Sequence, residues 1–165
     1  MFFEREGFPY AIVGAFGLHA YGLSRATSDL DFVTVREAQP KTVEFLEGLG
    51  YDTLHVSNGY SNHSHRDPSR GRIDLVYVTG DTARLLFEGS RKSLKVGSRE
   101  VPVPRPEHLA AMKVHAMKND PQRAPQETAD IRFLMALPGV DRMEIRKYFD
   151  DAGLLDRYDE IERLL

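Results

Sequence analysis

The chain has 165 residues, a net charge of −3 and no cysteine. Its length suits one domain with a real core. The missing cysteine excludes a disulfide framework and thiolate metal sites, and the near balance of charge excludes a general nucleic-acid coat. No apolar stretch approaches the roughly 20 residues that span a bilayer. Glu4, Arg5 and Glu6 interrupt the short apolar start where a signal peptide would need an unbroken run. The expectation is a cytoplasmic protein with no membrane partner.

The first elements are the most informative. Tyr10–Val13 predicts a short buried strand. Gly14 allows a tight turn without a Cβ, and Ala15–Tyr21 predicts a short helix that stops at Gly22. The free N–H groups of that helix would point to whatever lies beside Gly14, and such an end favours phosphate. Asp29–Val35 predicts a strand, and its i, i+2 spacing puts Asp29 and Asp31 on one face with Leu30 and Phe32 on the other. Two neighbouring carboxylates stay ionised together when a cation lies between them. An all-oxygen pair of this kind suits Mg²⁺ with nucleotide phosphate completing its shell.

Pro40 and Lys41 open a helix with Val43, Phe45, Leu46 and Leu49 on its apolar side, ended by Gly48 and Gly50. Tyr51–Val56 predicts a strand. Ser57–Gly71, rich in Ser, Asn, His and Gly, predicts a polar loop, with His63 and His65 as solvated loop histidines rather than metal ligands. Arg72–Val78 predicts a strong strand. Asp74 interrupts its apolar run, where an unpaired carboxylate is costly; it either pairs with Arg72 or supplies a third carboxylate to the Asp29/Asp31 site.

Asp81–Glu88 predicts a helix. Ser93–Val96, a Gly97-Ser98 turn and Arg99–Val103 predict a hairpin. A helix from Glu107 to about Lys118 places Lys113 on its apolar stripe, where the ammonium either snorkels to water or meets a buried anion. After a loop from Met117 to Pro125, a helix spans Gln126–Leu137. Asp130 on it is a flanking surface acid, a partner for Lys113 or a substrate contact. Asp141 and Glu144 form a capping-box-like start to the next helix, and a last amphipathic helix covers Leu154–Leu165. This tail reads as packing only.

Charge is unevenly spread. Residues 1–65 hold 4 basic and 8 acidic side chains, residues 66–123 hold 12 and 7, and residues 124–165 hold 6 and 10. The basic middle includes Arg66, Arg70, Arg72, Arg91 and Lys92. It fits an anionic ligand bound locally, or scattered solvated charge.

In chain order, Val13-Gly14-Ala15, Arg25-Ala26-Thr27-Ser28-Asp29-Leu30-Asp31 and Ile73-Asp74-Leu75 resemble the nucleotidyltransferase pattern of the polymerase-beta-like superfamily. Leu109-Ala110-Ala111-Met112-Lys113 and Glu127-Thr128-Ala129-Asp130-Ile131 are similar to later motifs of the AbiEii/AbiGii toxin-type nucleotidyltransferases and their small relatives. Two positions depart from that pattern: Ala15 stands where Gly or Ser is common, and Gln126-Glu127 stand where Lys-Asp is common. The resemblance implies an α+β fold, a mixed twisted sheet flanked by helices with a small C-terminal helical tail. It divides the chain into a catalytic core at 1–106 and a helical part at 107–165 packed on it as one compact domain.

The implied activity is transfer of a nucleoside monophosphate from an NTP to an acceptor hydroxyl. By that likeness Asp29, Asp31 and Asp74 are the catalytic and metal residues for two Mg²⁺ ions. Gly14, Ala15, Arg25, Thr27, Lys113 and Asp130 are the nucleotide-binding residues. The basic middle segment suggests a polyanionic acceptor such as a tRNA or other RNA end, and the toxin-type likeness a toxin–antitoxin or phage-defence setting with a cognate antitoxin as partner. Antibiotic or protein nucleotidylation and an inactive regulatory module are the alternatives. A glycosyltransferase with a metal-binding Asp-x-Asp fits less well, because of the glycine turn, the separate Asp74 strand and the short chain.

Overall fold

The computed structural model describes residues 1–89 and 92–165 and divides into two units, Met1–Pro104 and Arg105–Leu165. The first unit begins with a one-turn helix, α1 (Phe2–Glu6), followed by β1 (Tyr10–Ile12), α2 (Gly14–Tyr21) and β2 (Asp29–Val35). It continues through α3 (Gln39–Gly48), β3 (Tyr51–Val56), β4 (Tyr60–His65), β5 (Arg72–Val78) and α4 (Gly80–Glu88), and closes with a hairpin of β6 (Lys92–Val96) and β7 (Arg99–Val103). The main sheet has the order β1-β2-β5-β4-β3. Only β2 and β5 run parallel; the other neighbours are antiparallel. This is a mixed α+β sheet flanked by helices, as the motif order implies.

Ala11 and Ile12 of the edge strand β1, Val33 of β2 and Leu75 of β5 are buried, and so are Ala15 and Leu18 of α2. At the edge of this core Phe3 stacks on Tyr10, with ring centres 5.1 Å apart. Strand alternation gives β2 and β5 two distinct faces. Asp29, Asp31 and Asp74 lie on one, and Phe32, Leu75 and Tyr77 on the other. Helix α3 lies over this second face, where Thr53 of β3 donates to Glu47 of α3 at 2.8 Å.

Residues 60–65 correct the sequence reading. The expected loop contains β4, the strand between β5 and β3. Its composition misleads because its inner positions are polar. Ser61 and His63 are fully buried at 0% exposure, and side chains satisfy them. Ser61 Oγ lies 2.8 Å from the Tyr77 hydroxyl and 2.9 Å from His63 Nε2, and His63 Nδ1 lies 3.2 Å from Thr53 Oγ1. Thr53 gives its proton to Glu47, so His63 donates to Thr53 from Nδ1, and its Nε2 meets the Ser61 hydroxyl. Burial lowers the His63 pKa below its ordinary value.

A histidine whose pKa is depressed on folding binds a proton more readily when unfolded. Its stabilisation is complete above the unfolded value of about 6.5 and is lost as pH falls below it. The slope is at most about 1.4 kcal/mol per pH unit for one proton. Urea unfolding at a series of pH values should show His63→Gln losing less stability than the parent between neutrality and mildly acidic pH. Parallel pH curves for the two proteins would contradict this assignment.

The second unit is helical: α5 (Pro106–Asn119), α6 (Ala124–Met135), α7 (Arg142–Ala152) and α8 (Leu155–Glu162). Asp141 caps α7 by accepting from the Met143 and Glu144 amides, as its spacing predicts. Leu109, Ile131, Leu134, Ile145, Phe149 and Ile161 form the core. Among the described residues, no helix is long and apolar enough to cross a membrane.

Candidate nucleotidyl-transfer site

The site grows from the turn between β1 and α2. The Val13 amide donates to the Asp31 carbonyl at 2.9 Å, which sets the start of α2 beside Asp31. Gly14 takes φ +57°, and a Cβ there would collide with the Asp31 carboxylate and come within 2.9 Å of Asp31 Cβ. Glycine is thus required twice, for its backbone angle and for the space in front of the carboxylate. The N-terminal amides of α2, with Ala15 as its second residue, lie at that space, and their partial positive charge favours anions.

The parallel pairing of β2 with β5 sets Asp31 level with Asp74 and Asp29 level with Arg72. Asp31 and Asp74 therefore stand side by side on one face, with Asp29 one step along the same face. Asp74 does not find its partner in Arg72. It accepts a hydrogen bond from Asn62 Nδ2 at 2.8 Å, and Asn62 is its register partner on β4. The other proton of that amide goes to the Tyr60 hydroxyl. Tyr60 is half-buried, and desolvation, followed by the Asp74 charge, pushes its pKa up, so it remains protonated at neutral pH.

The approach to β2 is ordered by its own side chains. Thr27 Oγ1 accepts from the Asp29 amide at 3.1 Å, and Ser28 Oγ donates to Asp29 Oδ1 at 3.1 Å. The His19 Nε2 of α2 lies 3.2 Å from the Arg25 amide and 3.0 Å from its carbonyl. Arg25 and Thr27 are thus held on the segment leading into the acidic strand.

The donors offered to a metal are all carboxylate oxygens, the chemistry that Mg²⁺ takes, and the missing Cβ of Gly14 leaves the Asp31 carboxylate its place. Among the described residues no three His, Cys, Asp or Glu side chains form a ready-built metal cluster. Mg²⁺ normally takes one or two protein carboxylates and completes its shell with phosphate and water, so the residues present fit it. His63 lies in the buried network described above. His65 Nε2 lies 3.1 Å from the Leu49 carbonyl, and its Nδ1 accepts from the Asp67 amide.

Lys113 and Asp130 meet in the second unit. The Lys113 ammonium donates to Asp130 at 2.5 Å and to Glu127 at 3.0 Å. The three residues are 7%, 3% and 1% exposed, respectively. Arg123 reaches the other Glu127 oxygen at 2.7 Å. Of the two readings for Lys113 the structure gives the buried anion, in the form of this chain's Glu127 and Asp130 carboxylates.

Sequence reasoning missed Asn62 and Tyr60, because their strand reads as loop, and gave Glu127 no role of its own. The Asn58-Gly59 pair was the available signal for a hairpin ahead of β4. For Glu127 it was the i, i+3 spacing to Asp130 on the face toward Lys113.

No family model matches the sequence, and no curated protein matches it. Solved structures do. The solution structure of the antibiotic-resistance factor ANT(2'')-Ia aligns with a TM-score of 0.67 at 14% identity, over 98% of this chain and 89% of that one. A crystal structure of ANT(2'')-Ia with adenylyl-2''-tobramycin gives 0.66 at 13%, over 94% and 92%. The lincosamide antibiotic adenylyltransferase LnuA, with lincomycin bound, gives 0.56 at 17%, over 82% and 90%. On these likenesses, the chain has the nucleotidyltransferase fold.

Proposed function

We propose that this chain is a Mg²⁺-dependent nucleotidyltransferase that moves a nucleoside monophosphate from an NTP to a hydroxyl of a small-molecule acceptor. The observation that carries the reading is the start of α2 laid against Asp31, with Asp74 level with it on the neighbouring strand. A helix end suited to phosphate and carboxylates suited to a metal thus share one space. In the reaction the acceptor oxygen bonds to the α-phosphorus, and the bond from that phosphorus to the oxygen bridging to the β-phosphate breaks. Pyrophosphate leaves, and the acceptor proton passes to Asp74 and then to water.

Asp29, Asp31 and Asp74 would hold two Mg²⁺ ions, which when bound offset phosphate charge and position the reacting oxygens. The amides of Gly14 and Ala15 hold phosphate oxygens, and Arg25 and Thr27 flank them. Lys113 and Asp130 pair with each other, and the mechanism gives them no step.

The small-molecule acceptor is favoured by the two antibiotic-acting neighbours and by the state of the basic middle segment. Arg66 pairs with Asp52, Arg70 with Asp67, Arg84 with Asp81 and Glu88, and Arg99 with Glu4. Such exposed pairs are weak, but each sets a negative charge beside a positive one and breaks up a cationic track for RNA. Arg91 lies outside the described residues. The toxin-type setting, with its antitoxin partner, rests on the motif resemblance alone.

The test offers each NTP, labelled on its α-phosphate, with Mg²⁺ and either a panel of hydroxyl-bearing antibiotics or tRNA. Label is expected on a small molecule. Label on tRNA alone would overturn the acceptor assignment, and no transfer to any acceptor in the panel or in a whole-cell extract would overturn the activity.

A further inference from the structure

Across the middle of the sheet, Asp31, Asp74 and Asn62 form one row on β2, β5 and β4. A carboxylate can only accept hydrogen bonds, so the Asn62 amide must turn its NH₂ group toward Asp74. The amide has two protons. One goes to Asp74 Oδ1 and the other to the Tyr60 hydroxyl. The phenol thus fixes the rotation of the amide, and the amide fixes the rotation of the carboxylate.

The pairing is specific to this position. Asp74 stands beside another carboxylate, Asp31, and needs a neutral donor on its far side to hold one orientation. A lysine or arginine there would pull the carboxylate into an ion pair and compete for its second oxygen. An amide occupies Oδ1 and leaves Oδ2 for the reaction.

We propose that Asn62 is a positioning residue for Asp74, and that Tyr60 acts through Asn62, so that β4 supplies an outer support to the transfer site. This rests on the nucleotidyl-transfer reading. In that reaction the support aims Asp74 Oδ2 at the acceptor hydroxyl, and it plays little part in holding the NTP. Outer hydrogen-bond partners of site carboxylates are typically worth about 10–100-fold in activity. Asn62→Leu, of the same branched shape and with no donor, should lower kcat by about that factor. It should leave KM for the NTP and the affinity for a non-hydrolysable NTP analogue with Mg²⁺ nearly unchanged. Tyr60→Phe should lower kcat less, and Asn62→Ser, which keeps a donor, should recover part of the loss.

A readout independent of turnover is the carbon-13 resonance of the Asp74 carboxyl in the nucleotide-free protein, assigned by its loss in Asp74→Asn. It should move in Asn62→Leu and move less in Tyr60→Phe. Melting temperatures identify any variant that merely unfolds. An unmoved resonance would overturn the support whether or not the protein is active. A moved resonance with unchanged kcat would overturn the positioning role. Wild-type protein that transfers no nucleotide would overturn the functional reading, and with it the role of this support in transfer, while the resonance still reports the contact itself.

Discussion

Gly14→Ala is expected to lower nucleotidyl transfer by about 10²-fold, because the new methyl group must displace the Asp31 carboxylate, and a misplacement of about 1 Å at a reacting centre can cost that much. It should also reduce stability by about 1–2 kcal/mol, the cost of a left-handed backbone for a residue with a Cβ. Gly22→Ala separates the two effects. Gly22 also has a positive φ, +103°, but nothing lies within 4 Å of a Cβ placed there. It should lose stability and keep its activity. Transfer rates and urea midpoints for the two variants check the pair. Equal activity losses would mean that Gly14 serves only the backbone.

Lys113→Met should destabilise the protein by about 3–5 kcal/mol, the usual cost of removing one partner from a buried ion pair. The methionine fills much of the same space, so packing changes little. What changes is charge: Glu127 and Asp130 then face each other in the interior without the ammonium between them. The triple variant Lys113→Met, Glu127→Gln, Asp130→Asn should recover most of the loss, since it removes the buried charges together. Chemical denaturation measures both. A single variant as stable as the parent would show that the ammonium reaches water instead of bridging the carboxylates.

The parts of this fold that follow simple periodicity were legible. Strands β2, β3 and β5 have the bounds that their alternation predicts, the Gly97-Ser98 turn joins a real hairpin, and Gly22 ends α2. The placement of Asp29 and Asp31 followed from strand geometry alone. Strand β4 was hidden because its buried positions are Ser61 and His63, whose burial depends on partners on β3 and β5 that no local pattern reveals. The same concealment removed Asn62 and Tyr60 from view, since side chains on a supposed loop have no defined face. The Lys113 stripe was visible as an anomaly. Its explanation needed α6, because Glu127 and Asp130 reach Lys113 only through helix packing. Asp74 was recognised by its cost in an apolar run, but its partner is across the sheet and not two residues back at Arg72.

The central claim is that the face bearing Asp31 and Asp74 moves the α-phosphoryl group of an NTP. It is tested most directly by supplying the same NTP labelled either at the α- or at the γ-phosphate, to the parent protein and to Asp31→Asn, with Mg²⁺ and an acceptor. The parent should put only the α-label on the acceptor and release the γ-label in pyrophosphate, and the folded Asp31→Asn protein should do neither. Transfer of the γ-label, or undiminished α-transfer by Asp31→Asn, would contradict the account.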